Sequence, residues 1–365
     1  MIFLLIITIL FFGSHLFLYL AICHFFELSI LVKRIIVVGL GFLSMSFILS
    51  STLAHWYDTI FTRGFYTFSA VWTGVLSNAF FILAFLWIVS SIFLAFHFPH
   101  SLSIVGWIGI IIVTLLSVYG LIQAARPMMR EETIYIQNLP KEWEGKKIVQ
   151  MTDIHLGHII RSDFARKIVD MSNATNPAMV LIVGDMLDGM DGHLDGLLEP
   201  FSGLHSQYGT YFVTGNHETY LGVSHTLDIV KKTNIQIIDN LLVNLGGLQL
   251  IGIASPERGQ KQDVAEILKK VGFNSMKPSV LLYHAPIDRD IFRSLGISLQ
   301  LAGHTHRGQL YPYNLITNLV YEGYDFGVYN EGDYTLSVSS GVGTWGPPMR
   351  TNSRSEIVVL TLRGK

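Results

Sequence analysis

Apolar residues run almost unbroken through the first third of the chain, in four stretches from Ile2 to Ala21, Ile35 to Leu53, Ala70 to Phe96 and Ile104 to Ile122. Each approaches the ~20 residues that a helix needs to cross the hydrocarbon of a bilayer. Four transmembrane helices are therefore predicted. The breaks between them hold Glu27, Lys33 and Arg34, then Asp58 and Arg63, then Pro99, His100 and Ser101. Trp56, Tyr57, Phe65 and Tyr66 lie around the second break, where amphipathic rings suit the headgroup zone. The first stretch has no basic segment ahead of it and no small-residue cleavage pattern before Lys33, so it reads as a span rather than a signal peptide.

Beyond Lys147 the pattern changes to short runs rich in Val, Ile and Leu: 148–151, 179–183, 211–213, 280–283 and 299–302. These read as strands buried on both faces. Helix-compatible segments lie between them at 164–172, 221–233, 264–270 and 289–295. Such alternation predicts a layered α/β domain. Gly246-Gly247 between two apolar runs marks a hairpin, and further strands at 334–339 and 357–362 imply more than one sheet. The expected division is a four-span region over 1–125, a connector with one short strand over 126–145, and a catalytic domain over 146–365.

Charge sharpens the division. Only Glu27, Lys33, Arg34, Asp58 and Arg63 are charged before Gln123, so the near-neutral balance averages an apolar part with an ordinary soluble one. No cluster of Lys and Arg forms the stripe that a nucleic-acid surface requires, and nucleic acid is not an expected partner. The single cysteine, Cys23, excludes an internal disulfide and a thiolate metal site in the soluble part. Positively charged residues flank the spans on both sides, with Arg63, Arg126 and Arg130 on one and Lys33 and Arg34 on the other. The balance favours a cytoplasmic catalytic domain in a multi-pass protein of the cell membrane.

Candidate chemistry is concentrated directly after the strands. In chain order the segments are Asp153-Ile154-His155, Gly184-Asp185, Gly215-Asn216-His217-Glu218, His284-Ala285-Pro286 and Gly303-His304-Thr305-His306. Ligands of α/β sheets bind beyond the carboxyl ends of the strands, so these segments are expected to converge. Oxygen and imidazole donors suit Mn, Fe, Zn or a similar divalent ion. Seven of them exceed what one ion needs, whereas two ions about 3.5–4 Å apart, sharing a carboxylate, account for the set. Such a pair acidifies a shared water, and the resulting hydroxide attacks phosphorus in line. No Gly-x-Ser-x-Gly elbow and no Gly-rich loop ending in Lys-Ser or Lys-Thr offers a competing chemistry.

The ordered set Asp-x-His, Gly-Asp, Gly-Asn-His-Glu, His and Gly-His-x-His resembles the calcineurin-like metallophosphoesterase superfamily. Residues 303–309, with Gly346-Pro347-Pro348-Met349-Arg350 and Ser355-Glu356-Ile357, are similar to its YkuE/YaeI-like branch. The resemblance covers roughly Lys147 to Leu362 and implies a layered β-sandwich flanked by helices. It further implies that Asp153, His155 and His306 bind one metal, that Asp185 bridges, and that Asn216, His284 and His304 bind the second. The two ions would be manganese foremost, with iron, zinc, magnesium or cobalt as alternatives. His217 would be catalytic, contacting phosphate or protonating the leaving group, with an acidic residue as its partner. Arg307 stands where relatives of this branch usually have Gly; it either contacts an anionic substrate or points to solvent. Arg350 is a second candidate for substrate contact, and Asp188 and Asp191 read as solvated loop acids.

The expected activity is hydrolysis of phosphomonoesters or phosphodiesters, with the membrane address favouring a lipid-linked substrate and membrane lipids as partners. The rival expectation is a non-enzymatic sensor or transport-associated protein that retains a metal-binding domain. A complete ligand set argues against that rival.

Overall fold

The computed structural model describes residues 2–188, 194, 196–257 and 260–365, with the side chains of residues 2–7 excepted. The chain divides into two compact units, one of residues 1–122 with 346–351 and the other of residues 123–345 with 352–365.

The first unit contains four helices: α1 (Ile2–Phe25), α2 (Ile30–Trp56), α3 (Ile60–Ala95) and α4 (Leu102–Ala125, its last residues counted with the other unit). All four are long and apolar enough to cross a membrane. Two starts are set by capping: the Ser29 hydroxyl accepts from the Val32 N–H, and Thr59 and Thr62 form a reciprocal box. The unit's core joins Leu18, Ala21 and Phe25 of α1 to Leu76, Ala79 and Leu83 of α3 and Val113 of α4. Two polar pairs lie inside it: Trp72 Nε1 donates to His15 Nε2 at 3.1 Å and Asn78 Nδ2 to Ser117 Oγ at 3.0 Å. His15 is thus a packing residue. Residues 346–351 cluster with these helices, where the Met349 side chain lies against Gly74 and Gly120 and the Arg350 N–H donates to the Gly120 carbonyl at 2.9 Å.

The second unit is a sandwich of two six-stranded sheets. One carries β1 (Met128–Ile136), β2 (Lys147–Met151), β3 (Met179–Val183), β4 (Thr210–Val213), β5 (Gln236–Ile237) and β12 (Glu356–Gly364), in the order β1-β12-β2-β3-β4-β5. The other carries β6 (Leu241–Leu245), β7 (Leu248–Ile253), β8 (Ser279–Tyr283), β9 (Leu299–Ala302), β10 (Gly327–Glu331) and β11 (Tyr334–Val338), in the order β10-β11-β9-β8-β7-β6. Strands β2, β3 and β4 run parallel, as do β7, β8 and β9. The Gly246-Gly247 turn joins β6 to β7 with Leu245 opposite Leu248, as its composition predicts.

Side chains from both sheets, among them Ile148, Leu181, Val213, Leu250, Leu282 and Leu301, form one core between the layers. A second core lies under α5 (Ser162–Ala174), whose Ala165, Ile168 and Val169 are buried. The third packs Val264 and Leu268 of α8 (Val264–Lys270) and Phe292 of α9 (Arg289–Leu295) on the outer face of the second sheet. Between lie α6 (Asn216–Leu221) and α7 (Val223–Val230), separated by Gly222 at φ 91°; α7 is the helix expected over 221–233, and it ends at Val230. The expected fold class is observed. β1 extends over nine residues, longer than the short strand expected at 133–137, because its whole length pairs with β12. Two helices went unforeseen, α6 and α10 (Tyr313–Val320).

Candidate metal centre

The carboxyl ends of five parallel strands, β2, β3 and β4 of one sheet and β8 and β9 of the other, deliver the predicted ligands to one place. Donor atoms form three groups, each within 4.8 Å: Asp153, His155 and His306; His155, Asp185 and His217; and Asp185, His284 and His304. His306 Nε2 lies 3.2 Å from Asp153 Oδ1 and 3.1 Å from His155 Nε2, and Asp185 Oδ2 lies 3.0 Å from His284 Nε2 and 3.9 Å from His155 Nε2. Two imidazole nitrogens facing each other across 3.1 Å share no good hydrogen bond unless one is protonated, whereas a cation beside them satisfies both lone pairs.

The buried atoms His155 Nδ1, His284 Nε2 and Asn216 Oδ1 have no hydrogen-bond partner. The His284 ion pair falls outside hydrogen-bond alignment despite its 3.0 Å distance. Its Nδ1 faces the Val183 carbonyl at 2.8 Å; a carbonyl only accepts, so Nδ1 carries a proton and Nε2 is the nitrogen turned to the site. Orphaned donors of this kind fit a divalent ion, and Asp153, His155, Asp185, Asn216, His284, His304 and His306 are the residues that would hold it.

The loops are tightly wired. The His304 N–H donates to both Asp153 carboxylate oxygens at 3.1 and 3.0 Å, tying the two sheets together, and Thr152 Oγ1 donates to Asp153 Oδ2 at 2.7 Å. Asp153, His155, Asp185, His304 and His306 all have φ between 48° and 69°. Left-handed backbone is uncommon for non-glycine residues, and its concentration at ligand positions is stored strain that marks a functional site. The motif glycines serve close approach: a Cβ on Gly215 would stand 2.2 Å from Asp185 Oδ1, and one on Gly303 would stand 2.3 Å from Asp153 Oδ2.

Sequence reasoning missed the role of Glu218. Its buried carboxylate accepts four backbone N–H groups: Gly215 at 2.7 Å, Met186 at 2.8 Å, Asp185 at 2.9 Å and Leu187 at 3.1 Å. Burial, and then the charge of Asp185, push this carboxyl up to about 7, while the N–H bonds pull it down. The partner of His217 also differs from expectation. Its Nδ1 meets the Asp188 backbone carbonyl at 2.5 Å rather than a carboxylate. The Asp188 carboxylate instead lies 3.6 Å from His155 Nδ1, so this residue, expected in solvent, closes over a ligand. Asp191 lies outside the described residues. Arg307 stacks on Phe326, its guanidinium carbon 4.4 Å from the ring centroid. Arg350 is fully buried in the segment that clusters with the helical unit.

Electrostatics separate the histidines. Burial, reinforced by His217 and His306, drives His155 well below the usual histidine range, and burial with His284 brings His304 down to about 4. Burial opposes charging of His284 too, but the adjacent Asp185 outweighs it and carries His284 up to about 10. His284 is therefore protonated in the metal-free site at neutral pH, while His155 and His304 are neutral. Metal uptake then displaces one proton, and affinity rises with pH, by up to about tenfold per unit, until pH nears 10. Calorimetric titration in two buffers of different ionisation heat measures that proton; a release of zero would contradict the assignment of His284 as a ligand.

Residues 146–308 match the calcineurin-like phosphoesterase family. An uncharacterized metallophosphoesterase of Campylobacter jejuni is 36% identical over 272 residues, covering 72% of this chain and 71% of its own. The transmembrane protein with metallophosphoesterase domain of Danio rerio is 32% identical over 276 residues, covering 70% of this chain and 62% of its own, and the uncharacterized metallophosphoesterase YkuE of Bacillus subtilis is 26% identical over 266 residues, covering 67% and 90%. The chain thus spans less than two thirds of the zebrafish relative's length. It belongs to the calcineurin-like metallophosphoesterase family.

Proposed function

We propose that the chain is a membrane-anchored phosphoesterase that uses two divalent ions, manganese foremost, to hydrolyse phosphomonoesters or phosphodiesters. One observation carries the two-ion reading: Asp185 shares one donor group with His155 and His217 and another with His284 and His304. Asp153, His155 and His306 would hold one ion and Asn216, His284 and His304 the other, with Asp185 shared. When bound, such a pair supplies Lewis-acid charge for phosphate oxygens and lowers the pKa of water.

The chain's own residues supply the rest. With its Nδ1 donating to the Asp188 carbonyl, His217 is the ring placed to pass a proton to the leaving oxygen. The ring is held at the site by its edge-on contact with His155, 4.6 Å between centroids. Arg307 adds positive charge beside Phe326, available to an anionic substrate. The charges flanking the spans favour a cytoplasmic catalytic unit, and the four spans favour a substrate at the membrane surface, a lipid-linked phosphoester.

The test is turnover by the metal-loaded, full-length protein, compared with a His217→Asn variant. The variant is expected to lose about 10²–10⁴-fold in kcat on alkyl phosphoesters, whose leaving groups need a proton, and much less on p-nitrophenyl esters, with unchanged metal content. Equal loss on both substrates would remove His217 from the role of acid.

A further inference from the structure

Helix α10 is built inside out. Its polar residues face the protein: Thr317 Oγ1 donates to Asp325 Oδ2 at 2.8 Å and Asn318 Nδ2 to Asp325 Oδ1 at 3.3 Å. Its apolar residues face outward, with Leu319 80%, Val320 64%, Leu315 60% and Ile316 58% exposed. No residue of the helix is buried. From Gly308 to Tyr321 the sequence carries no charge, and the exposed Tyr311 and Tyr313 stand at the start of the aliphatic face. A contiguous apolar surface of this kind marks an interaction site rather than an ordinary solvated helix.

We infer that α10 is an interfacial helix whose Leu315, Ile316, Leu319 and Val320 insert into the surface of the bilayer that the chain itself spans. Continuity of the chain points to this occupant. Membrane-length α4 ends at Ala125 and β1 begins at Met128, three residue steps that reach about 11 Å at full extension. A bilayer crossed by α4 therefore lies within immediate reach of the sheet unit. Aliphatic side chains flanked by tyrosine rings are the residue types that settle at the boundary of headgroups and acyl chains. The helix itself carries no charged side chain for the rim that an ordinary protein partner would meet.

The helix is also tied to the metal centre. Asp325, which takes both α10 bonds on its carboxylate, accepts on its backbone carbonyl from Thr305 Oγ1 at 2.6 Å. Thr305 lies between His304 and His306, so Asp325 links the helix to that loop by hydrogen bonds on both its carboxylate and its backbone carbonyl. A bilayer-seated α10 holds that loop at the depth of phospholipid headgroups. The inference rests on the four spans and the exposed helix, not on the phosphoesterase reading.

The experiment uses the full chain with Cys23→Ser, carrying Leu319→Cys, Ile316→Cys or, as a solvent control, Met276→Cys, each labelled with an environment-sensitive fluorophore and reconstituted in phosphatidylcholine–phosphatidylglycerol nanodiscs. Labels at positions 316 and 319 are expected to emit to the blue of the one at 276 and to be quenched at least twofold more by lipids with a nitroxide on the acyl chain. Emission and quenching at both positions equal to those at 276 would overturn the inference. So would shielding without lipid quenching accompanied by disulfide-linked dimers through position 319, which would make a second copy the occupant. Neither readout requires turnover, so failure here is separable from failure of the hydrolase assignment.

Discussion

Asp185→Asn is expected to lower phosphoester turnover by about 10³-fold or more, corresponding to ~4 kcal/mol of lost transition-state stabilisation, and to reduce bound metal by at least one ion per chain. Asp185 Oδ1 accepts the His217 N–H at 2.9 Å, so an asparagine there must direct its oxygen to that donor. Its NH₂ would then occupy the place of Oδ2, 3.0 Å from His284 Nε2. The change thus removes a negative charge and sets an amide donor where a shared ligand is required. Steady-state assays with metal analysis of the same samples check both parts. Undiminished turnover would dismantle the two-ion account.

Glu218→Ala is expected to be the most destabilising single change in the sheet unit. It strands the four buried N–H groups of Asp185, Met186, Leu187 and Gly215 that the carboxylate satisfies. Removing one partner of a buried, charge-assisted network typically costs about 3–5 kcal/mol. In a unit of this size that corresponds to a fall in apparent Tm on the order of 10 °C. Glu218→Gln keeps the shape but offers one acceptor oxygen in place of two, so an intermediate loss is expected. Because the bonds organise the Asp185 and Asn216 loops, metal affinity should fall in parallel. Differential scanning fluorimetry with and without Mn²⁺ measures both; a variant as stable as the parent would show that Glu218 does not hold these loops.

Much of the site was legible in the order of residues because its ligands occupy strand ends. A strand buried on both faces announces itself as a run such as Met179 to Val183, and the acid just beyond it, Asp185, then lies at the crevice. The four spans were legible for the same reason, a local pattern long enough to show its own solvent. What depends on contacts distant in sequence was not. Glu218 reads as a first-turn acid beside a ligand, and only the convergence of β3 and β4 puts the Asp185 to Leu187 amides around it. Asp188 reads as a solvated loop residue until its carbonyl meets His217 and its carboxylate His155. The left-handed backbone at Asp153 and His306 has no composition signal, since neither position is glycine. Helix α10 was missed because its apolar face points outward, so its pattern promises no core. The assignment of residues 346–351, Arg350 included, to the cluster of membrane-length helices was not legible either, since it rests on Met349 fitting against Gly74 and Gly120.

The ligand set also bears on the rival reading of a non-catalytic sensor. A binding module needs one ion's worth of donors, whereas here Asp153, His155, Asp185, His284, His304 and His306 converge with His217 among them and Glu218 fixes the loops from behind. The most direct measurement is to strip the purified full-length protein with chelator and titrate it with Mn²⁺ while recording both bound metal and hydrolysis of an aryl phosphoester. The account predicts activity that appears as the stoichiometry approaches two ions per chain; saturation at one ion or none, or full metal loading without hydrolysis of any phosphoester, would contradict it.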